Sequence, residues 1–278
     1  MKINSNIQAL NAYRNLNQNQ TELSKNLEKL SSGLRINKAS DDAAGLAISE
    51  KMRSQIRGLD QAERNAMDGV SLIQTAEGAM QEVNSMLQRM RELSVQSAND
   101  SNSESDREQI QKEIDALTDE VDNISENTEF NTKSLLNPDS SGAGGSGQLS
   151  LSFQIGPNSD QTIELNISGM DSETLNIDNV DVGTQSGASA AISTFDEAIN
   201  TVTSARSELG AVQNRIEHTV NNLQITHENL SSAESRIRDA DMAEEMTEFT
   251  RNNIINQSAT AMLAQANQMP QGVLQLLQ

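Results

Sequence analysis

The sequence predicts a mainly α fold: long coiled-coil-like helices from both chain ends packed as a rod, with a small β-hairpin region in the middle. Three observations predict it. Phe195, Val202, Leu209, Ile216, Leu223, Leu230 and Ile237 recur at intervals of seven and are apolar throughout, and Ala198, Ala205, Val212, Thr219, Thr226, Ala233 and Ala240 flank them. A 3.6-residue helix drifts against a seven-residue repeat unless it supercoils, so this is one long helix buried along a seam. Composition agrees: hydrophobic residues make up 35% of 278 and aromatics 2%, against roughly 45–50% apolar in soluble globular domains. Narrow seams need less apolar material than a round core. Finally, the period falls to two in mid-chain, which marks strands.

Taken in order, Leu16, Leu23 and Leu30 recur at seven with Leu27 and Leu34 beside them, which predicts an amphipathic helix over about 5–32. Gly33 ends it as a C′ glycine. Ser40-Asp41-Asp42 offers N-cap chemistry for a second helix. That helix carries Met52, Leu59, Ala66, Ile73, Met80 and Leu87, flanked by Ala62, Gly69, Ala76, Val83 and Met90, and runs to about residue 98. Ser105-Asp106-Arg107-Glu108 reads as a capping box. Behind it Ile110, Ile114, Leu117, Val121 and Ile124 continue at alternating four and three.

A Gly/Ser-rich loop follows at 137–147. Leu149, Leu151, Phe153 and Ile155 then alternate with polar residues, as do Ile163, Leu165 and Ile167. Gly156-Pro157-Asn158-Ser159 is the turn of this hairpin, and its one apolar face is expected to lie on the helices. Leu175, Ile177, Val180 and Val182 form a weaker third stretch. After the long seam, Met242, Met246, Phe249, Ile254, Ile255, Met262, Leu263 and Met269 form a last helix that Pro270 stops, with Val273-Leu274-Gln275-Leu276-Leu277 trailing. Neither chain end buries its stripe alone, so both are expected to be poorly ordered in an isolated molecule and to fold on assembly.

Net charge is −20 and unevenly spread. Residues 1–60 sum to +3, 61–98 to −2, 99–181 to −15 and 182–278 to −6. Acid concentrates in the middle of the chain, as expected where that part faces water and the ends are buried. With no basic stripe and almost no aromatic surface, nucleic-acid binding is disfavoured. No apolar run approaches the ~20 residues a bilayer needs. The polar opening at Met1-Lys2-Ile3-Asn4 has no signal-peptide pattern, and the absence of Cys excludes disulfides and thiolate metal sites.

Catalytic and metal chemistry find no support. His218 and His227 are the two histidines. His227-Glu228-Asn229-Leu230-Ser231 begins like the zinc motif H-E-x-x-H, but Ser231 stands where the second ligand must be. Gly142 to Gly147 lacks the Lys-Ser/Thr of a phosphate loop. No cofactor is expected. One surface stands out: Leu87 and Met90 belong to the seam, so Arg89 and Leu93 are expected to project from the opposite face. An exposed leucine beside an arginine suits a protein contact.

The chain resembles bacterial flagellin. Ser31-Ser32-Gly33-Leu34-Arg35-Ile36-Asn37 and Asp41-Asp42-Ala43-Ala44-Gly45-Leu46-Ala47-Ile48 look like that family's N-terminal signature, as do Gln74-Thr75-Ala76-Glu77-Gly78-Ala79 and Leu87-Gln88-Arg89-Met90-Arg91-Glu92-Leu93. Leu209 to Arg215, Arg236 to Glu245 and Ala264 to Gln268 are similar to its C-terminal half. The resemblance covers essentially the whole chain, with 137–185 where the family often inserts large variable domains. It implies a minimal flagellin that polymerises into the helical filament for swimming. Residues 1–44 with 237–278 would form the inner tube, and Leu16, Leu23, Leu30, Phe249, Met262 and Leu263 would serve polymerisation. Residues 45–236 would form a surrounding rod-like domain holding the hairpin region 148–183, with no large inserted outer domain.

The same resemblance implies an extracellular filament protein exported unfolded, without a cleavable signal peptide, through the type III flagellar secretion apparatus. Its partners would be an export chaperone on the C-terminal helix and the junction and cap proteins, with no membrane and no nucleic acid. In flagellins the motif holding Arg89 and Leu93, with the glutamate matching Glu113, is what a host Toll-like receptor recognises, and the same face would be buried between stacked subunits. A hook–filament junction protein and a non-polymerising helical binding module are the alternatives.

Overall fold

The computed structural model describes residues 6–137 and 148–275, apart from the side chains beyond residue 268. Most of the Gly/Ser-rich loop, the first five residues and the side chains of the C-terminal tail lie outside the described residues. The elements are α1 (Ile7–Ser32), α2 (Ala43–Ser97), α3 (Glu104–Asn127), β1 (Glu129–Phe130), β2 (Lys133–Ser134), β3 (Gln148–Gln154), β4 (Thr162–Ser168), α4 (Gln185–Arg238) and α5 (Met242–Gln275). They form two compact units, one of residues 1–56 with 228–278 and the other of 57–227.

In the second unit α2 and α4 run antiparallel with a constant register. Asp60 meets His227, Glu63 meets Gln224, Asn84 meets Thr203 and Arg91 meets Asp196. A step of seven along α2 therefore matches a step of seven back along α4, which is how a heptad seam must close. Between these polar edges Ile73, Met80, Leu87, Phe195, Val202 and Ile216 are fully buried, with Leu59, Leu209 and Leu223 nearly so. Fully burying one such side chain stabilises by about 1.5–3 kcal/mol. The seam weakens in the first unit, where Met52, Leu230 and Ile237 are half-buried.

The third helix begins two residues before the expected box. Ser103 is its N-cap, accepting from the Asp106 N–H while the Asp106 carboxylate accepts from the Ser103 backbone N–H. An acid three residues after either serine satisfies the pattern. The earlier one wins a reciprocal bridge at both ends. Ile110, Ile114 and Val121 of α3 then pack into the same core as α2 and α4.

The hairpin closes as expected, with Leu149 opposite Ile167, Leu151 opposite Leu165 and Phe153 opposite Ile163. Its inner face joins the helical core. Its turn approaches α2 so closely that a Cβ at Gly58 would stand 2.8 Å from Pro157 Cβ. The third stretch, around Leu175 to Val182, is not a strand. Side chains of α3 stitch it down instead: the Gln111 amide donates to Val180 O (3.0 Å) and accepts from Val182 N (2.7 Å), and Asp122 accepts from the Ser172 N–H and hydroxyl (2.8 Å each). Its backbone groups thus find partners without a neighbouring strand. A second, tiny hairpin pairs Glu129 with Ser134 and Phe130 with Lys133. Asn131 (φ 51°) and Thr132 (φ 64°) form its turn, the left-handed pair that tight hairpin turns require.

In the first unit α1 ends at Gly33, whose φ of 69° and N–H donating to Lys29 O form the expected left-handed cap. The Asp42 carboxylate caps α2 by accepting from the Gly45 N–H at 2.9 Å. Pro270 does not stop the last helix: α5 continues to Gln275. A proline removes one helical donor and strands the carbonyl four residues earlier, here that of Ala266. That carbonyl has another partner, because the Asn6 amide donates to it at 2.7 Å.

Candidate assembly surfaces

The first unit holds α1 and α5 as an antiparallel pair. Asn6 reaches Ala266 at one end, and Lys29 Nζ donates to Glu245 Oε1 at 2.8 Å toward the other. Leu16, Leu23 and Leu30 on α1 and Phe249 and Leu263 on α5 are half-buried. All five were expected to serve the chain-end assembly. Asn26 is buried in the same stripe with its Nδ2 unpartnered, as is Glu245 Oε2. A polar residue in a helical seam fixes register at a cost in stability.

Much apolar surface remains uncovered. Ile7, Leu10, Tyr13 and Leu27 are exposed on α1, as are Met242, Met246, Ile254, Ile255 and Met262 on α5. At about 100° per residue, Met242 and Met246 lie along one edge of the α1-facing stripe. Ile255 and Met262 lie along the other. The α5 helix therefore carries apolar side chains on both edges of that stripe, beyond what α1 covers, interspersed with polar residues such as Glu244, Arg251 and Gln257.

Two of the sequence motifs come together where the helices of this unit turn. The Arg35 N–H donates to Arg238 O at 2.7 Å, the Ala240 N–H donates to Gly33 O at 3.0 Å, and Leu34 bridges Asp239. The Arg35 guanidinium adds bonds to Arg236 O (3.2 Å) and Ile237 O (2.6 Å). The segment after α1 and the break between α4 and α5 are thus held as one knot. Beside it the Lys38 ammonium and the Asn37 amide hold the Glu28 carboxyl below its usual range, while Glu28 pushes the Lys38 amine up.

In the second unit Arg89 and Glu113 meet on the surface. Nη2 lies 2.8 Å and Nε 3.1 Å from the same Glu113 oxygen, with Glu92 3.5 Å from Nη1. Both side chains are about half exposed. Leu93 does not project with them: it is 2% exposed and belongs to the core. Leu87 and Met90 define the α4-facing seam, but α3 packs on a second flank of α2. The buried stripe therefore widens to include Leu93, while Ser94 and Ser97 continue the seam seven residues after Leu87 and Met90.

Among the described residues no group of three or more His, Asp or Glu could hold a metal ion. His227 Nε2 lies 3.0 Å from Asp60 Oδ1 at an edge of the seam. No described helix is long and apolar enough to cross a membrane. Sequence reasoning missed Asn6, Lys29 and Glu245 as positioning residues. Only Asn6 had a local signal, as a polar residue just ahead of the first apolar one.

The family described as the bacterial flagellin N-terminal helical region matches residues 3–140, and the bacterial flagellin C-terminal helical region matches 192–277. The chain is 53% identical to flagellin of Bacillus subtilis (strain 168) over the full length of both. It is 49% identical to the flagellar filament 33 kDa core protein of Treponema phagedenis, again over both whole chains. Among solved structures, flagellin of Bacillus cereus superposes with a TM-score of 0.50 at 28% identity, covering 58% of this chain and 88% of that one.

Proposed function

The chain belongs to the bacterial flagellin family and is a structural subunit of a flagellar filament, and on that premise we propose how its two units divide the work. The α1–α5 pair, within residues 1–44 and 237–278, is the polymerising part that lines the inner tube of the filament. The single observation that carries this is α5 itself: Met242, Met246, Ile254, Ile255 and Met262 stay exposed on it, while α1 covers one stripe. Copies of the same pair on neighbouring subunits supply the missing cover. A head-to-tail contact whose rotation does not close gives an open helical polymer. In the free subunit the pair is only marginally ordered, since it leaves apolar faces in water and two buried polar atoms unpartnered. Residues 45–236, with the acidic middle of the chain, face outward.

The placement is extracellular, reached through the flagellar secretion apparatus. An export chaperone would cover the exposed apolar residues of α5 before secretion, and junction and cap proteins would meet the same unit at the filament ends. The Arg89–Glu113 surface serves as an axial contact between subunits and, in the free monomer, as the contact for a host Toll-like receptor. Leu93 supports that surface from beneath.

Seeded growth tests the division of labour. Full-length monomer added to sheared filament seeds is expected to extend them into regular tubes, and a chain lacking 242–278 is expected to remain soluble. Tubes from the truncated chain would overturn the assignment. A full-length monomer that stays soluble would favour a junction or binding role.

A further inference from the structure

Resting on that assembly reading, we propose that Met242, Met246 and Met262 are an oxidation site through which a two-electron oxidant, of the class of hypochlorous acid, blocks assembly of the free subunit. The chain has no Cys and no Trp, so its eleven Met supply the thioethers that such an oxidant attacks first. Burial sorts these sulfurs. Met80, Met90 and Met170 are completely covered, whereas Met242, Met246 and Met262 are 47%, 50% and 62% exposed. These three sit on α5, on both edges of the stripe that α1 covers, while Met67, 48% exposed, lies on α2.

The chemistry is self-contained. The thioether sulfur gives up two electrons and gains the oxygen of hypochlorous acid as an S–O bond. The O–Cl bond breaks, and chloride and a proton leave. The flexible apolar side chain becomes a polar, chiral sulfoxide, which disrupts Met-rich contacts and which sulfoxide reductases reverse. On α5 that change falls on the surfaces that neighbouring copies must cover. The free subunit is therefore sensitive, while the assembled filament shields the same sulfurs.

The experiment treats full-length monomer with stepwise hypochlorite, maps sulfoxides by peptide mass spectrometry, and follows elongation of sheared seeds. Met242, Met246 and Met262 are expected to oxidise before Met80, Met90 and Met170. Elongation is expected to fall at least tenfold and to return after treatment with the two methionine sulfoxide reductases. Preformed filaments are expected to keep these three unmodified at the same dose. Exposed Met67, in the second unit, oxidises too. The triple variant M242L/M246L/M262L decides which sulfurs matter: whatever its own untreated elongation rate, it should keep that rate after oxidant. Oxidised wild-type monomer that elongates at full rate, or a triple variant as sensitive as wild type, would overturn the proposal. Tubes from untreated chain lacking 242–278 would instead overturn the assembly reading, so the two failures are distinguishable.

Discussion

The Asn6 side chain donates its amide to the carbonyl of Ala266, 260 positions away in sequence, at 2.7 Å. The same side chain caps α1 by accepting from the Ala9 N–H at 3.1 Å. Residue 270, whose N–H would otherwise bond that carbonyl, is proline. Asn6 thus starts one helix and completes another across the proline, which lets α5 continue. The two roles separate by substitution. Asn6→Asp keeps the capping acceptor and loses the donor, while Asn6→Ala loses both, at a cost of about 1 kcal/mol for the cap alone. Hydrogen exchange is expected to rise near 266–270 in both variants and near Ala9 in the alanine variant alone. Unchanged exchange around 266–270 in Asn6→Asp would show that the bond has no structural role.

Lys29 and Glu245 fix the other end of the α1–α5 pair, and the glutamate side chain is 10% exposed. Lys29→Ala would leave a largely buried carboxylate without its partner, which costs about 3 kcal/mol, the low end for breaking a buried pair because Lys29 is itself 30% exposed. Replacing both residues by leucine removes the unpaired charge. The double variant should therefore assemble better than Lys29→Ala, as read from the critical concentration for filament growth. If the two assemble equally, the pair does not govern this interface.

Leu93 and Arg89 are expected to behave as different kinds of position. Leu93→Ala opens a cavity in a packed core, worth about 2–5 kcal/mol, and should lower the thermal midpoint of the soluble subunit. Arg89→Ala and Glu113→Ala break an exposed pair and should leave that midpoint nearly unchanged. Receptor signalling by monomer and axial order in filaments are the readouts for these two. A large fall in melting temperature for Arg89→Ala would mean that the pair is structural and not a contact surface.

Gly58 lies against the hairpin turn, where an added Cβ would stand 2.8 Å from Pro157 Cβ and 3.3 Å from its Cα. Gly58→Ala should gain helix propensity of about 1 kcal/mol and lose more by displacing the turn. A net fall in stability is expected, with hydrogen exchange rising over 155–161. A more stable variant would show that the turn yields freely.

Acid should weaken the start of α3 in a definable window. The Ser103 hydroxyl, followed by its backbone N–H, holds the Asp106 carboxyl below its usual range. A carboxylate with a lowered folded pKa contributes fully above the unfolded value, about 3.9. That contribution is lost as pH falls through the folded value. The difference in melting temperature between wild type and Asp106→Ala should therefore be constant above about pH 5 and shrink below about pH 4. A difference that persists unchanged into that acid range would remove the charge from the cap.

Periodicity alone determined the helices, because the seam from Phe195 to Leu223 repeats a local rule that every turn of the helix obeys. The Gly33 cap, the β3–β4 hairpin and the family motifs were legible for the same reason: each is a short-range pattern. Other features required the packed chain. Leu93 is buried because α3 lies on a second flank of α2, and no spacing within α2 records that. Leu175 to Val182 looked like a strand because its apolar residues are spaced like one, yet the Leu175 and Ile177 N–H groups donate to the local carbonyls of Asp171 and Ser172, and Gln111 of α3 bonds Val180 and Val182. The tight turn at Asn131-Thr132 was hidden because threonine rarely takes a positive φ. Pro270 looked like a stop because its missing donor is local, whereas the group that compensates sits at residue 6. Sequence fixes what each segment can do by itself; which polar and apolar groups meet across 100 or more residues is decided only when the chain is packed.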